Sequence, residues 1–257
     1  MVNWGSHMTI DRPNPDWDGA TYDRIADPQA RWGGPVLDRL VLDGSETVLD
    51  AGCGSGRVTE RLIERLPRGR VIAADAAPSM LAEARTRLAR FEPRVEFVEC
   101  DLGQPLPIAP VDAVFSTAAL HWVPDHDALF GNLAAVVVPG GRLVAQCGGV
   151  GNVDRIQQAL ADMGETWPGP WHFATAEETA ARLTEAGFVD VETWLQEEPT
   201  VIGPGEAMET FLATVVLRSH VERLPEPERS AYVRGVALRL PGSEIDYVRL
   251  NLVARRA

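Results

Sequence analysis

The stretch Val48-Leu-Asp-Ala-Gly-Cys-Gly-Ser-Gly56 places a short apolar run, an acidic residue and three glycines at alternate positions ahead of a helical pattern that begins at Arg57. It reads as a nucleotide-binding turn. Backbone that passes close to a ligand or takes positive φ calls for glycine, and Gly52, Gly54 and Gly56 supply three such positions. The spacing decides which nucleotide. A dinucleotide turn follows G-x-G-x-x-G, whereas here Arg57 stands three residues after Gly54 and the second interval holds only Ser55. That spacing argues against NAD.

Working outward, Arg70-Val-Ile-Ala-Ala-Asp75 is a second apolar strand ending on a carboxylate, about 20 residues past the glycines, where such folds place the acid that binds ribose hydroxyls. Pro78 opens a helix with Met80, Leu81, Ala84 and Leu88 on one face. Val95-Glu-Phe-Val-Glu-Cys-Asp101 alternates and again ends on an acid, so Asp101 is placed to accept the exocyclic amine of an adenine. A fourth strand, Val111 to Ser116, runs into Thr117-Ala-Ala-Leu-His-Trp122. Val138-Pro-Gly-Gly141 is expected to end a helix before a fifth strand, Arg142 to Cys147. Later, Trp167-Pro-Gly-Pro-Trp171 interrupts two helical segments, Phe188 to Trp194 reads as a sixth strand, helical patterns from Gly205 to Leu240 break at Pro225 and Pro227, and Tyr247 to Ala254 is a final strand. Strands alternating with helices imply an α/β, doubly wound, mainly parallel sheet.

Each signal has a structural alternative. A strand-terminal Asp also serves as a helix cap or turn former, but Asp50, Asp75 and Asp101 in this order favour ligand binding. Met80 suits a core position as well as an adenine wall. Cys53, Cys100 and Cys147 are odd in number and match no zinc spacing, and His121, His126 and His172 are dispersed, so no metal site is expected.

The run D-x-G-x-G-x-G from Asp50 resembles the first motif of the class I S-adenosylmethionine-dependent methyltransferases. Three further stretches, Asp16-Trp-Asp-Gly-Ala-Thr-Tyr22, Ser116 to Asp125 and Arg249 to Arg256, narrow the resemblance to the trans-aconitate methyltransferases and their neighbours, the malonyl carrier-protein methyltransferases of biotin synthesis. The chain departs from the former in carrying His121 where that branch commonly has Gln. The resemblance implies a seven-stranded Rossmann-like methyltransferase sheet with an antiparallel last strand, and a helical cap formed with the N-terminal segment. It also implies S-adenosylmethionine as cofactor, with Tyr22 against its methionine end; the alternative for Tyr22 is packing of an N-terminal helix on the sheet. The expected cofactor set is Tyr22, Asp50, Gly52, Gly54, Gly56, Asp75, Ala76, Met80, Asp101, Leu102 and Ser116.

The 257 residues suffice for one structural domain: residues 9–150 as a cofactor-binding core with an N-terminal cap helix, and 151–257 completing the sheet around an inserted cap. Gly5-Ser-His-Met8 resembles the scar of an expression vector, so residues 1–8 are set aside as a vector-derived tag. A formal net charge of −13 disfavours nucleic acid as a partner. No apolar run approaches a membrane span and no signal core follows the start, so a cytoplasmic protein is expected. The sequence contains no lysine, which excludes Schiff-base chemistry; every Lys/Arg position is an arginine, whose planar fork suits carboxylates.

The expected function is methylation of a small molecule, with a carboxylic acid as acceptor and a methyl ester as product; an acyl carrier thioester is a related acceptor. Methylation of a natural-product oxygen, nitrogen or carbon, and cofactor binding without catalysis, are the alternatives. His121 is the one candidate catalytic residue, a general base for a hydroxyl acceptor, or else a structural hydrogen-bonding group. His121, Trp122 and Arg218 are the expected substrate-binding residues, with a surface role as the alternative for Arg218.

Overall fold

The computed structural model describes residues 27–257; Trp17 and Tyr22 lie outside them. After helix α1 (Asp27–Arg39), strand β1 (Thr47–Ala51) enters the centre of a seven-stranded sheet of order β3-β2-β1-β4-β5-β9-β6. The first units alternate as the pattern requires: α2 (Arg57–Glu64), β2 (Arg70–Asp75), α3 (Pro78–Leu88), β3 (Val95–Glu99), β4 (Val111–Thr117), α4 (His126–Val136) and β5 (Val137–Gly148). Pairings among β1 to β5 are parallel.

Period-two alternation along β1 sends its side chains to opposite faces. Leu49 and Ala51 join one core with Leu129, Phe130 and Leu133 of α4, and Val48 joins the other with Val36 and Leu37 of α1, Leu62 and Ile63 of α2, and Leu81, Ala84 and Leu88 of α3. Both faces of the sheet are thus covered, which is why the central strands read as unbroken apolar runs.

Beyond β5 come α5 (Asp154–Asp162), α6 (Ala176–Glu185), β6 (Phe188–Glu197), a two-residue strand β7 (Thr200–Val201), α7 (Glu206–Phe211), α8 (Arg218–Glu222), α9 (Glu226–Ala237), β8 (Glu244–Ile245) and β9 (Val248–Arg256). β9 inserts antiparallel between β5 and β6, as the resemblance implies. α5, α7, α9 and a π turn at Leu212–Val216 enclose a third core around Ile156, Phe211, Tyr232 and Val236, on which Trp32, Trp171 and Phe173 pack.

Two local expectations are corrected. Val138-Pro-Gly-Gly141 lies within β5 rather than ending a helix: α4 stops at Val136, and the strand bulges, pairing Val137 with Val111 and then Arg142 with Ala113. Gly140 takes φ 81°, and a Cβ on Gly141 would stand 2.8 Å from the Asp112 carbonyl, so the bulge needs both glycines. Pro227 does not break a helix but lies in the first turn of α9, where its missing N–H is no loss. The β7–β8 pair has no forerunner in the sequence pattern.

Candidate functional site

The strand order reverses between β1 and β4, and a cavity opens at the carboxyl ends of these strands, the place where open α/β sheets bind ligands. One end of it is built by the glycine turn. Gly52 and Cys53 donate N–H groups to the Ala74 carbonyl at 2.8 and 2.9 Å, which ties the turn to β2. Gly52, Gly54 and Gly56 all have positive φ, at 83°, 53° and 82°. Their constraints differ: a Cβ on Gly52 would meet the Ala119 Cβ at 2.2 Å, whereas one on Gly54 would meet no atom of the described residues within 4 Å.

Asp75, at the end of β2, holds this turn: Oδ2 accepts from Gly54 N–H at 2.8 Å and Oδ1 from Ala77 N–H at 2.9 Å. A carboxylate has about four lone-pair sites, more than its backbone N–H partners use, so accepting capacity remains for a ligand hydroxyl. Burial pushes its pKa up, opposed by the N–H groups of Ala77, Gly54 and Ala76. Asp101 also lines the cavity and closes a small turn by accepting from Gly103 N–H at 2.8 Å, with Ala76, Met80 and Leu102 beside it as apolar wall. Asp50 is buried and accepts from the Thr59 hydroxyl at 2.6 Å; burial raises its pKa to about 7, with the neighbouring Asp75 charge adding to the rise. This set of glycine turn, strand-end carboxylates and apolar wall fits an adenosyl group.

The opposite end is aromatic. Trp122 and His121 follow β4 on a short 3-10 turn, Leu120–Trp122, and Trp171 and Phe173 follow α5. The Trp171 and Phe173 rings stack at 5.7 Å with 12° between their planes, and Phe173 continues onto His121 at 5.7 Å and 28°. Gly148 makes this possible, because a Cβ there would stand 2.7 Å from the Phe173 ring. Gly148 also donates its N–H to His121 Nδ1 at 3.3 Å. A backbone N–H only donates, so Nδ1 accepts and the proton of the neutral ring sits on Nε2. Burial, the Arg249 charge and His126 hold the His121 pKa well below the usual histidine range.

Arg249 enters this end from β9, opposite Gly148 in the β5–β9 register. It is 2% exposed, with its guanidinium 4.5 Å over the Trp32 ring. The start of β9 is pinned by Asn152 Oδ1, which accepts from Val248 N–H at 3.0 Å, and deeper in by Gln146 Nε2 donating to Asn251 Oδ1 at 2.8 Å. Two non-glycine residues with positive φ, Ala118 at 56° and Val153 at 55°, also line the cavity. For a β-branched valine this is a strained conformation, of the kind that concentrates at ligand sites.

Asp50, Gly52, Gly54, Asp75, Ala76, Met80, Asp101, Leu102, His121 and Trp122 therefore come together on one cavity. Gly56 shapes the turn without lining it, and a Cβ there would press on Ala84 of α3 at 3.3 Å. Ser116 does not reach the cavity: it is fully buried and donates to the Ala51 carbonyl at 2.6 Å, linking β4 to β1. Arg218 is also absent from its walls, with Nε engaged by Glu222 one helical turn away at 2.6 Å. Arg249, Trp171 and Phe173 were not singled out as site residues by the sequence. Burial disfavours the thiolate form of all three cysteines, lifting Cys100 to about 11, Cys147 to about 12 and Cys53 well above the ordinary thiol range.

A doubly wound sheet with an antiparallel penultimate strand and a D-x-G-x-G-x-G turn hydrogen-bonded to the acid that ends β2 defines a class I S-adenosylmethionine-dependent methyltransferase. A family model described as "Methyltransferase domain" matches residues 48–141. The trans-aconitate 2-methyltransferase of Azoarcus sp. (strain BH72) is 35% identical over 85% of this chain and 87% of its own length, and that of Paracidovorax citrulli 31% over 94% and 99%. A methyltransferase structure from Bacillus halodurans C-125 shares the fold at TM-score 0.63 and 17% identity, covering 87% of this chain and 98% of that one. The chain belongs to the trans-aconitate 2-methyltransferase family. It is an enzyme that uses S-adenosylmethionine to methylate a small-molecule acceptor. No helix of the described residues is long and apolar enough to cross a membrane.

Proposed function

We propose that the protein methylates a carboxyl group of a small organic acid, giving a methyl ester. The observation that carries this is the pairing at the acceptor end: a buried Arg249 guanidinium stands beside His121, which is neutral and holds its proton on Nε2. Arginine presents a planar fork that matches a carboxylate, and an Nε2–H donates rather than accepts. Such an end receives an anion and offers no ready base at Nε2 for a hydroxyl. The relatives' names specify trans-aconitate, itself a carboxylic acid.

Asp75 would hold the ribose hydroxyls, Asp101 the adenine amine, and the open backbone at Gly54 the methionine portion of the cofactor. S-adenosylmethionine supplies an electrophilic methyl whose bonding pair stays on sulfur when a carboxylate oxygen takes the methyl, so no proton need leave. What remains for the chain is to bind, orient and exclude water, the effects by which proximity accelerates a transfer. Arg249 and the Nε2–H of His121 orient the carboxylate, and Trp122, Trp171 and Phe173 keep its surroundings apolar. The direct test is incubation of the enzyme with trans-aconitate and other acids, followed by mass and position analysis of the product. A methyl carried on carbon, nitrogen or a hydroxyl oxygen would refute the proposal.

Because His121 donates rather than takes a proton, His121→Gln should retain most of the turnover, glutamine still providing an N–H. The rate profile of the unaltered enzyme should show no ionisation near the ordinary histidine pKa of about 6.5. A loss of about 10²-fold or more in turnover, with an acidic limb removed, would instead mark the histidine as a general base.

Cofactor binding should depend on pH through Asp50. A bound sulfonium and ammonium favour the ionised carboxylate, so below about 7 the group must lose its proton for the cofactor to bind best. Affinity should therefore rise as pH increases through about 7 and level off above it. Between about pH 6 and pH 8 the gain should approach tenfold by calorimetry, following the ionised fraction of a group with a pKa of about 7. Asp50→Asn should flatten that slope.

A further inference from the structure

We propose that Asn152 binds the acceptor, its side-chain amide donating a hydrogen bond to the acid from Nδ2. The proposal rests on the carboxyl-methylation reading and adds a residue to the acceptor end of that site. Asn152 stands in the turn between β5 and α5, lines the cavity and is 3% exposed. The orientation of its amide is fixed by its partner. The Val248 N–H, which can only donate, lies 3.0 Å from Oδ1, so the oxygen faces β9 and the NH2 group faces the other way. Nδ2 donates to none of the described residues, whereas a buried amide N–H ordinarily has a partner.

That other side is the acceptor end. A Cβ on Gly148 would stand 3.0 Å from Asn152 Nδ2 and 2.7 Å from the Phe173 ring, so both groups close over the same stretch of backbone. Gly148 is also the residue that donates to His121 Nδ1 and that lies opposite Arg249 in the β5–β9 register. The glycine thus leaves room for the amide beside the residues that orient the acid. The turn holds it there: Asn152 N–H donates to the Gly149 carbonyl at 3.0 Å, Gly149 N–H to the Val248 carbonyl at 3.1 Å, and Val153 N–H to the Asp246 carbonyl at 2.9 Å. Gln157 Nε2 adds a bond to the Asn152 carbonyl at 3.2 Å, and Val153 takes its positive φ directly after it. A donor fixed before the ligand arrives loses little side-chain freedom on binding. Being neutral, it adds a hydrogen bond to an anion without a further charge that has to be buried.

The test uses the full chain loaded with S-adenosylhomocysteine and titrated with trans-aconitate, fumarate and benzoate, with parallel S-adenosylmethionine turnover and product analysis. Calorimetry gives the affinities, and nuclear magnetic resonance follows the Asn152 side-chain NH2 signals, identified by their absence from Asn152→Asp. In the unaltered enzyme these signals should shift as an acid binds. Asn152→Ala and Asn152→Asp should each weaken acid binding about tenfold or more, the range for a hydrogen bond to a charged group, with S-adenosylhomocysteine affinity unchanged. Aspartate still accepts the Val248 N–H, so that N–H should keep its protection from hydrogen exchange, which shows β9 in place. Acid binding by Asn152→Asp equal to that of the unaltered enzyme would assign the residue to pinning β9 alone and overturn the proposal. So would NH2 signals that stay still while an acid binds, a readout independent of how the variants fold. A methyl found on carbon, nitrogen or a hydroxyl oxygen would refute the carboxyl reading whatever the NH2 signals do, and failure of every acid to bind would overturn both.

Discussion

Asp75→Ala should weaken binding of S-adenosylmethionine and S-adenosylhomocysteine by about 1.5–3 kcal/mol, about 10- to 150-fold in Kd. The expected loss has two parts. One is the removal of an ionic acceptor for ribose hydroxyls in a buried place, where hydrogen bonds to a charged group contribute most. The other is internal: Asp75 accepts from both Gly54 and Ala77, so its loss also frees the turn proposed to seat the cofactor. Asp75→Asn separates the two. An amide oxygen can still accept one N–H, so the turn is held in part while the charge is gone, and the loss should fall between wild type and alanine. Calorimetric titration at one pH above 7, where Asp50 is ionised, is the measurement. An unchanged Kd in a folded Asp75→Ala protein would show that the ribose lies elsewhere.

The glycine-turn end of the cavity was legible because it is written locally. Strand, acid and glycine run fall within nine residues at Val48–Gly56, and the acids of β2 and β3 each close an apolar run, so the order of signals along the chain matches their order in space. The acceptor end carries no such writing. Arg249 reaches it because β9 inserts between β5 and β6, held by pairs such as Gln146 with Asn251 that lie 105 positions apart. The motif containing Arg249 could be quoted without any role attaching to its first residue. Trp171 reads as punctuation beside two prolines, and its place on the cavity wall comes from stacking on Phe173, which lies against a glycine at the end of β5. Ser116 misled for the opposite reason: its strand-end position matched a ligand residue, but its hydroxyl satisfies the Ala51 carbonyl inside the sheet. Val138-Pro-Gly-Gly141 looked like a helix stop because glycine and proline end helices and shape bulges alike.

Arg249→Met should lower kcat/KM for the acid acceptor by about 10²- to 10³-fold while leaving cofactor affinity and fold intact. Removing one partner of a buried, hydrogen-bonded charge pair costs about 2–5 kcal/mol of binding, much of it the penalty for the other charge left alone. In this variant the stranded group would be the substrate carboxylate, set against Trp122, Phe173 and a neutral His121. Methionine keeps most of the side-chain volume over Trp32, so the packing at this end is largely retained. A cofactor affinity equal to that of the unaltered enzyme separates a substrate-binding role from a structural one. Arg249→Lys should rescue only part of the loss, since an ammonium restores charge but not the planar fork. The kinetic signature is a raised KM with a smaller fall in kcat, because the arginine orients the anion in both ground and transition states. There is a second readout in His121: without the neighbouring cation its pKa should rise toward the ordinary value, visible in the titration of its ring protons. Unchanged kcat/KM in a folded Arg249→Met protein would remove the guanidinium from the acceptor site and, with it, the main ground for a carboxylate substrate.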